Sequence, residues 1–186
     1  MEDSRIVELY WARAETAISE TAQRFGRYCH SIAYNILHRD EDAEECVSDT
    51  WLRAWNAMPS ARPERLGPFL GRITRNLALD RYKRDHAEKR GGSQMDLALS
   101  ELEGCIPATD TVELAMDEAA LTGYINDFLH GQSKEKRRVF LMRYWYVLSI
   151  RDIAERTGLT EAKITTMLFR MRAALREHLE REGVTV

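Results

Sequence analysis

SIRDIAERTGLTEAKITTMLFRMRAAL, residues 149–175, is the most specific local pattern in the chain. Ser149 and Thr160 are each placed to accept a backbone N–H at a helix start. The first predicted helix carries Ile150, Ile153 and Ala154 and is broken by Gly158. The second runs from Glu161 through Ile164, Leu168 and Leu175. Two short helices about a glycine turn, with the small Ala154 where they must approach, predict a helix-turn-helix. That arrangement lays its second helix in a major groove with the N-terminal part toward base edges. Glu161, Lys163, Thr165 and Thr166 are short or medium polar side chains suited to that place, and Arg170, Arg172 and Arg176 follow as phosphate contacts. The competing reading is a surface helix with ordinary solvated charges, but caps, glycine and basic flank all agree on the first.

Outward from this motif the periodicity stays helical. Ser133 is a plausible N-cap for a helix with Val139, Phe140, Met142 and Tyr144, and Leu114, Leu121, Ile125 and Phe128 mark one before it that ends near Gly131. Ile18, Ala22, Phe25, Cys29, Ile32 and Ile36 step by four and three, one stripe on a long helix. Ala43, Val47, Thr50, Ala54 and Ala57 continue the pattern beside Trp51 and Trp55, and Leu66, Leu70, Ile73 and Leu77 repeat it. No run alternates with period two long enough for a sheet. The expected fold is all-α: two small helical domains, residues 5–90 and 113–183, the second a helix-turn-helix. Residues 91–112, with Gly91, Gly92, Gly104 and Pro107 and no basic side chain, are expected to be a flexible acidic linker. Fully extended, ~20 residues reach ~65 Å at ~3.3 Å each, about two turns of duplex at ~34 Å per turn.

The 186 residues carry a net charge of −3, which conceals an alternation. Residues 1–50 sum to −6, 51–92 to +6, 93–132 to −8 and 133–186 to +5. Such asymmetry points to anionic partners for some segments and basic or protein partners for others. Within the first basic block, Arg72, Asn76 and Asp80 fall at i, i+4 and i+8 on one helix face, with Arg75, Arg81, Tyr82, Lys83 and Arg84 nearby. Asn reads base edges, Arg binds phosphate and Tyr stacks on bases. Composition alone leaves a solvated charged face equally open there.

Several classes drop out. The N-terminus lacks a positive region followed by an apolar stretch, so no secretory signal is expected. The apolar run Val139 to Ile150 is interrupted by Arg143 and is far shorter than the ~20 residues of a membrane span. Cys29, Cys46 and Cys105 form no CxxC pair and leave one thiol over in any pairing, which suits a reducing cytoplasm. The acidic run Asp40, Glu41, Asp42, Glu44, Glu45 and Asp49 lacks the glycine-punctuated spacing of a calcium loop. An acidic helix start accounts for Asp40 to Asp42; Glu45 and Asp49 leave room for a basic protein partner. His30, His38, His86, His130 and His178 show no metal spacing, and neither a phosphate-cradling loop nor a catalytic constellation is present. No metal, cofactor or enzymatic activity is expected.

Four stretches in order resemble a known family, the extracytoplasmic-function (ECF) sigma factors of bacterial RNA polymerase. Asp42-Ala43-Glu44-Glu45 through Asp49-Thr50-Trp51-Leu52-Arg53-Ala54-Trp55 is similar to the family's polymerase-binding helix. Phe69-Leu70-Gly71-Arg72-Ile73-Thr74-Arg75-Asn76 with Asp80-Arg81 resembles its −10 helix. Ile150 to Ala154, and Leu168-Phe169-Arg170-Met171-Arg172 with Leu175, resemble its C-terminal helix-turn-helix. The resemblance implies a non-enzymatic initiation factor whose partners are core RNA polymerase and promoter DNA, duplex at −35 and single-stranded at −10. An anti-sigma factor is a further partner the family admits, and no membrane insertion is implied. It assigns core docking to Asp42, Glu45, Asp49 and Arg53; −10 contacts to Arg72, Arg75, Asn76, Asp80, Arg81, Lys83 and Arg84; and −35 contacts to Glu161, Lys163, Thr165, Thr166, Arg170 and Arg172. A flipped base would enter the loop Met58 to Leu66, and the acidic linker would follow the polymerase's cationic RNA path. Where the family often has Thr-Val-Lys-Ser-Arg, this chain has Lys163-Ile164-Thr165-Thr166-Met167. The segment Ile6 to Trp11, with Tyr10 and Trp11 read as exposed, has no assigned role. One rival is a free-standing helix-turn-helix regulator whose helical domain dimerises; a remoter one is a helical enzyme with a metal at Asp40 to Asp49.

Overall fold

The apolar stripe of the first long helix becomes α2 (Thr16–Leu37), around which the first half of the chain is built. The protein is described by a computed structural model covering residues 2–58, 60–85, 93–106 and 118–184. The chain divides into two compact units, Met1–Arg90 and Gly91–Val186. Among the described residues all regular structure is helical, and no helix is long and apolar enough to cross a membrane.

In the first unit α2 packs on α1 (Asp3–Trp11), α3 (Asp40–Ala57) and α4 (Leu66–Asp85). The buried face of α2 runs through Ala17, Thr21, Cys29, Ile32, Ala33 and Ile36. Thr21 thus takes the place the periodicity gave to the exposed Ala22. The cause is α1: Tyr10, read as exposed, is wholly buried, donates its hydroxyl to Thr21 Oγ1 at 3.0 Å and lies 6.0 Å from the Trp55 ring. With Ile6 and Val7 it makes α1 part of the core. Between α3 and α4 the approach is close and small-residue based. The Thr50 and Thr74 hydroxyls lie 3.1 Å apart, and each reaches the carbonyl four residues back, Cys46 at 2.8 Å and Leu70 at 2.9 Å. Gly71 lets α2 and α4 meet, since a β-carbon there would fall 2.5 Å from the Tyr28 hydroxyl.

In the second unit the helix-turn-helix is formed by α8 and α9, preceded by α5, α6 and α7. In order these are α5 (Gln94–Leu102), α6 (Glu118–His130), α7 (Lys134–Phe140), α8 (Ile150–Thr157) and α9 (Glu161–Arg181). Ser149 caps α8, accepting from Asp152 N while the Asp152 carboxylate accepts from Ser149 N. Gly158 ends α8 in the left-handed region at φ 73°, a conformation that favours glycine, and its N–H bonds Ala154 O at 2.9 Å. Thr160 caps α9 through Lys163 N, and Ser133 caps α7 through Lys136 N. Ile153, Ile164, Leu168, Met171, Leu175 and Leu179 close the core with Val139 and Phe140. After α7 the chain widens into a π-turn over Leu141–Trp145, which leads to Val147 at φ 55°. In that turn both Arg143 and Tyr144 lie buried.

The stretch expected to be a linker contains a helix. Residues 94–102 form α5, started by a capping box between Ser93 and Asp96 and seated on the second unit through Met95 and Ala98, both buried. Expected features at residues 86–92 and 107–117, His86 and Leu114 among them, lie outside the described residues, as does Pro59 in the proline-rich loop.

Candidate nucleic-acid and polymerase interfaces

Every fourth residue of α4 is buried: Leu66, Leu70, Thr74, Ala78 and Tyr82. The opposite side is therefore left to water, and Arg72, Asn76, Asp80, Lys83 and Arg84 are all exposed there. Five of the seven side chains assigned to the −10 element thus share an open, mainly basic surface. The other two turn elsewhere. Arg75 is half-buried, and that burial lowers its pKa from the usual arginine value. Arg81 points at α3, placing its guanidinium 2.7 Å from Asp42 Oδ1 and 2.6 Å from Glu45 Oε2. The hydrogen bond to Glu45, reinforced by the Asp42 and Asp85 charges, raises the Arg81 pKa.

The same contacts divide the acidic residues of α3. Asp42 is buried and also meets Arg39 at 3.4 Å, so its charge is used inside the unit. Glu45, Asp49 and Arg53 remain exposed. Between the last two stands Leu52, an apolar side chain with 59% of its surface open. Leu52 also borders a groove lined by Ile18, Trp51 and Trp55. The buried line of α3 runs through Ala43, Cys46, Thr50 and Ala54, with Cys46 in the place the periodicity gave to Val47, and Leu52 falls outside both lines. Among the described residues no group of His, Cys, Asp and Glu is arranged to hold a metal ion.

On α9 the buried line Ile164, Leu168, Met171, Leu175 leaves Glu161, Lys163, Thr165, Thr166 and Arg170 exposed along the N-terminal half. Thr165 spends its hydroxyl proton on Glu161 O at 2.9 Å, and Lys163 Nζ stands 3.4 Å from Glu135. Phe169, unassigned from the sequence, is 64% exposed on this face. A groove beside the face is edged by Lys136, Lys163, Thr166 and Arg170. Arg172 departs from expectation: its guanidinium faces inward, 2.8 Å from the Tyr144 hydroxyl and 3.5 Å from Glu101. Arg176 pairs with Glu180 at 2.9 Å on the surface.

The loop expected to take a flipped base is tied to α1. Trp11 Nε1 donates to Ala61 O at 3.3 Å, and the Arg62 guanidinium stands 5.2 Å from the Trp11 ring centre. Arg13 secures the neighbouring end of α3, donating to Trp55 O at 2.8 Å with its guanidinium over the indole.

Two helical units, the second a helix-turn-helix, each with an exposed polar and basic helix face, are the architecture of a transcription protein. The family description "Sigma-70 region 2" matches residues 21–88, and "Sigma-70, region 4" matches residues 133–175. One similar protein is the probable RNA polymerase sigma factor RfaY of Xanthomonas campestris pv. campestris, 26% identical over 80% of this chain and 37% of that protein. Another is the ECF RNA polymerase sigma factor SigE of Mycolicibacterium smegmatis, 26% identical over 83% of this chain and 58% of that one. The aligned stretches thus span less than two thirds of either relative's length. A solved structure of CnrH in complex with the cytosolic domain of CnrY matches with a TM-score of 0.44 at 19% identity, covering 96% of this chain and 97% of that one. The chain belongs to the sigma-70 family of RNA polymerase sigma factors, in its ECF branch.

Proposed function

We propose that this chain directs core RNA polymerase to promoters and helps open them, acting without an active site of its own in the reducing cytoplasm. The observation that carries the reading is the open face of α4, where Arg72, Asn76, Asp80, Lys83 and Arg84 stand together while the apolar side of the helix is fully used in packing. A face that combines cationic heads with one amide suits a separated DNA strand, whose phosphates need charge and whose bases offer hydrogen-bonding edges. Unstacking a base costs a few kcal/mol and is offset only by a shaped receiver. The loop after α3, held by Trp11, is the receiver in this reading.

Docking on the polymerase falls to the exposed side of α3, with Glu45, Asp49 and Arg53 around Leu52. An apolar anchor ringed by charges suits a protein partner. Asp42 and Arg81 then act as a brace that fixes α3 against α4, so that the docking face and the strand-binding face keep a constant geometry. The N-terminal half of α9 reads duplex DNA at the −35 element through Glu161, Lys163, Thr165, Thr166 and Arg170.

The test separates docking from opening. With Asn76→Ala or Arg72→Ala, promoter opening followed by permanganate reactivity of unpaired thymines is expected to fall about tenfold, within the range of about 1–3 kcal/mol for a good base contact. Affinity for core polymerase stays at the wild-type level. Equal loss of both would contradict the assignment.

A further inference from the structure

Glu101 is the last acidic residue of α5, and its carboxylate is held from three sides. Arg143 Nη2 donates to Oε1 at 2.6 Å and Arg143 Nε to Oε2 at 3.1 Å; the Tyr144 hydroxyl donates to Oε2 at 2.9 Å; and Arg172 stands 3.5 Å away. Arg143 is 2% exposed and also donates to Gln94 Oε1 and Leu148 O, each at 2.9 Å, so each of its three nitrogens donates. Arg172 comes from a different element. It lies seven residues after Thr165, two helical turns along, on the same face of α9 that is open to solvent at its start. That face therefore ends under α5, with the Glu101 carboxylate 3.5 Å from the Arg172 guanidinium.

We propose that α5 is an internal phosphate mimic: it occupies the seat beside α9, and duplex DNA must displace it to engage Arg172. The occupant's chemistry fits, because residues 93–106 carry Asp96, Glu101 and Glu103 and no basic residue. Its release is affordable on physical grounds. A helix of nine residues is too short to persist alone, and only Met95 and Ala98 are buried at its seat, so α5 docks and melts as one small unit. Once it leaves, Arg143 gains water and keeps its bond to Leu148 O. This inference rests on the reading of α9 as a duplex-DNA helix.

The test uses the full chain and a short labelled duplex of arbitrary sequence, since phosphate contacts are sequence-independent. Met95→Glu ejects α5 while leaving Glu101 and Arg172 in place; circular dichroism checks that the remaining helices persist. One added phosphate contact steepens the slope of log affinity against log salt by about 0.9, which is about eightfold in affinity at 0.1 M salt relative to 1 M. Met95→Glu is expected to gain that slope and affinity, and adding Arg172→Ala to it is expected to abolish the gain. In the wild type, amide hydrogen exchange over residues 95–102 is expected to quicken when duplex saturates the protein. Binding by Met95→Glu identical to wild type, or exchange unchanged by saturating duplex, would overturn the proposal. Arg170→Ala separates the two failures. If it weakens binding while Met95→Glu does nothing, only the mimic falls; if it has no effect in either background, α9 is not the DNA helix and the mimic falls with that reading.

Discussion

Arg143 is tolerable in the core only because Glu101 meets it there. A guanidinium kept buried without its carboxylate typically costs about 3–5 kcal/mol, but Arg143 reaches water once α5 lifts, so Glu101→Ala is expected to undock α5 rather than unfold the second unit, read as faster amide exchange over residues 95–102. The pH dependence has a definite sign. Burial pushes the Glu101 carboxyl up, but hydrogen bonding and charge from Arg143, with Tyr144 and Arg172 behind, outweigh it and hold the carboxyl below the usual carboxylate value. A carboxyl depressed in the folded state contributes stability that is fully present above its unfolded value, about 4.3, and is lost as pH falls through the folded one. Thermal melts of the second unit are therefore expected to be flat in this contribution above about pH 5 and to fall below it, with Glu101→Gln removing the slope. The thiols make a second residue-scale prediction. Burial pushes Cys29 up to about 11 and Cys46 up to about 12, while Cys105 is only partly buried. A thiol reagent at pH 8 is expected to label Cys105 in the folded protein and to reach Cys29 and Cys46 only on unfolding. None of these partnerships was legible beforehand, because Glu101 and Arg143 are 42 residues apart and no local rule pairs them.

At the scale of elements, what was legible followed from local rules. Ser149, Gly158 and Thr160 mark α8 and α9 by capping chemistry that needs no distant partner, and each does in the structure what its residue type predicts. Replacing Ser149 or Thr160 by Ala is expected to cost about 1 kcal/mol of second-unit stability in denaturant titration. The misreadings occur where another element decides. Thr21 looks solvent-facing until Tyr10 of α1 supplies its partner. In α5, the Ser93–Asp96 capping box competes with flanking glycines and acidic charge that signal a linker, and the seating of Met95 and Ala98 on the second unit decides for the helix. The close contact of α2 and α4 yields a further test. Gly71→Ala would drive a β-carbon against the Tyr28 ring, an overpacking cost of about 1–3 kcal/mol, and Tyr28→Phe in the same chain is expected to recover part of it.

For the whole molecule, the charge alternation was the most informative global feature, and the structure divides each block into surface and internal use. In the +6 block Arg72, Lys83 and Arg84 face out while Arg81 neutralises Asp42 and Glu45 of the −6 block. In the −8 block Glu101 neutralises Arg143 and approaches Arg172 of the +5 block. Net charge along the chain does not separate internal braces from open faces, since that depends on which side of a helix is packed. Membership of the sigma-70 family and the exposed faces converge on one central claim, that this chain gives core polymerase its start sites. The most direct measurement is run-off transcription with purified core enzyme on promoter-bearing genomic fragments. The account predicts discrete transcripts that require this protein and fall about tenfold with Asn76→Ala, while the protein alone binds duplex weakly. Core that initiates no better with the protein than without it, alongside tight duplex binding by the protein alone, would contradict the claim.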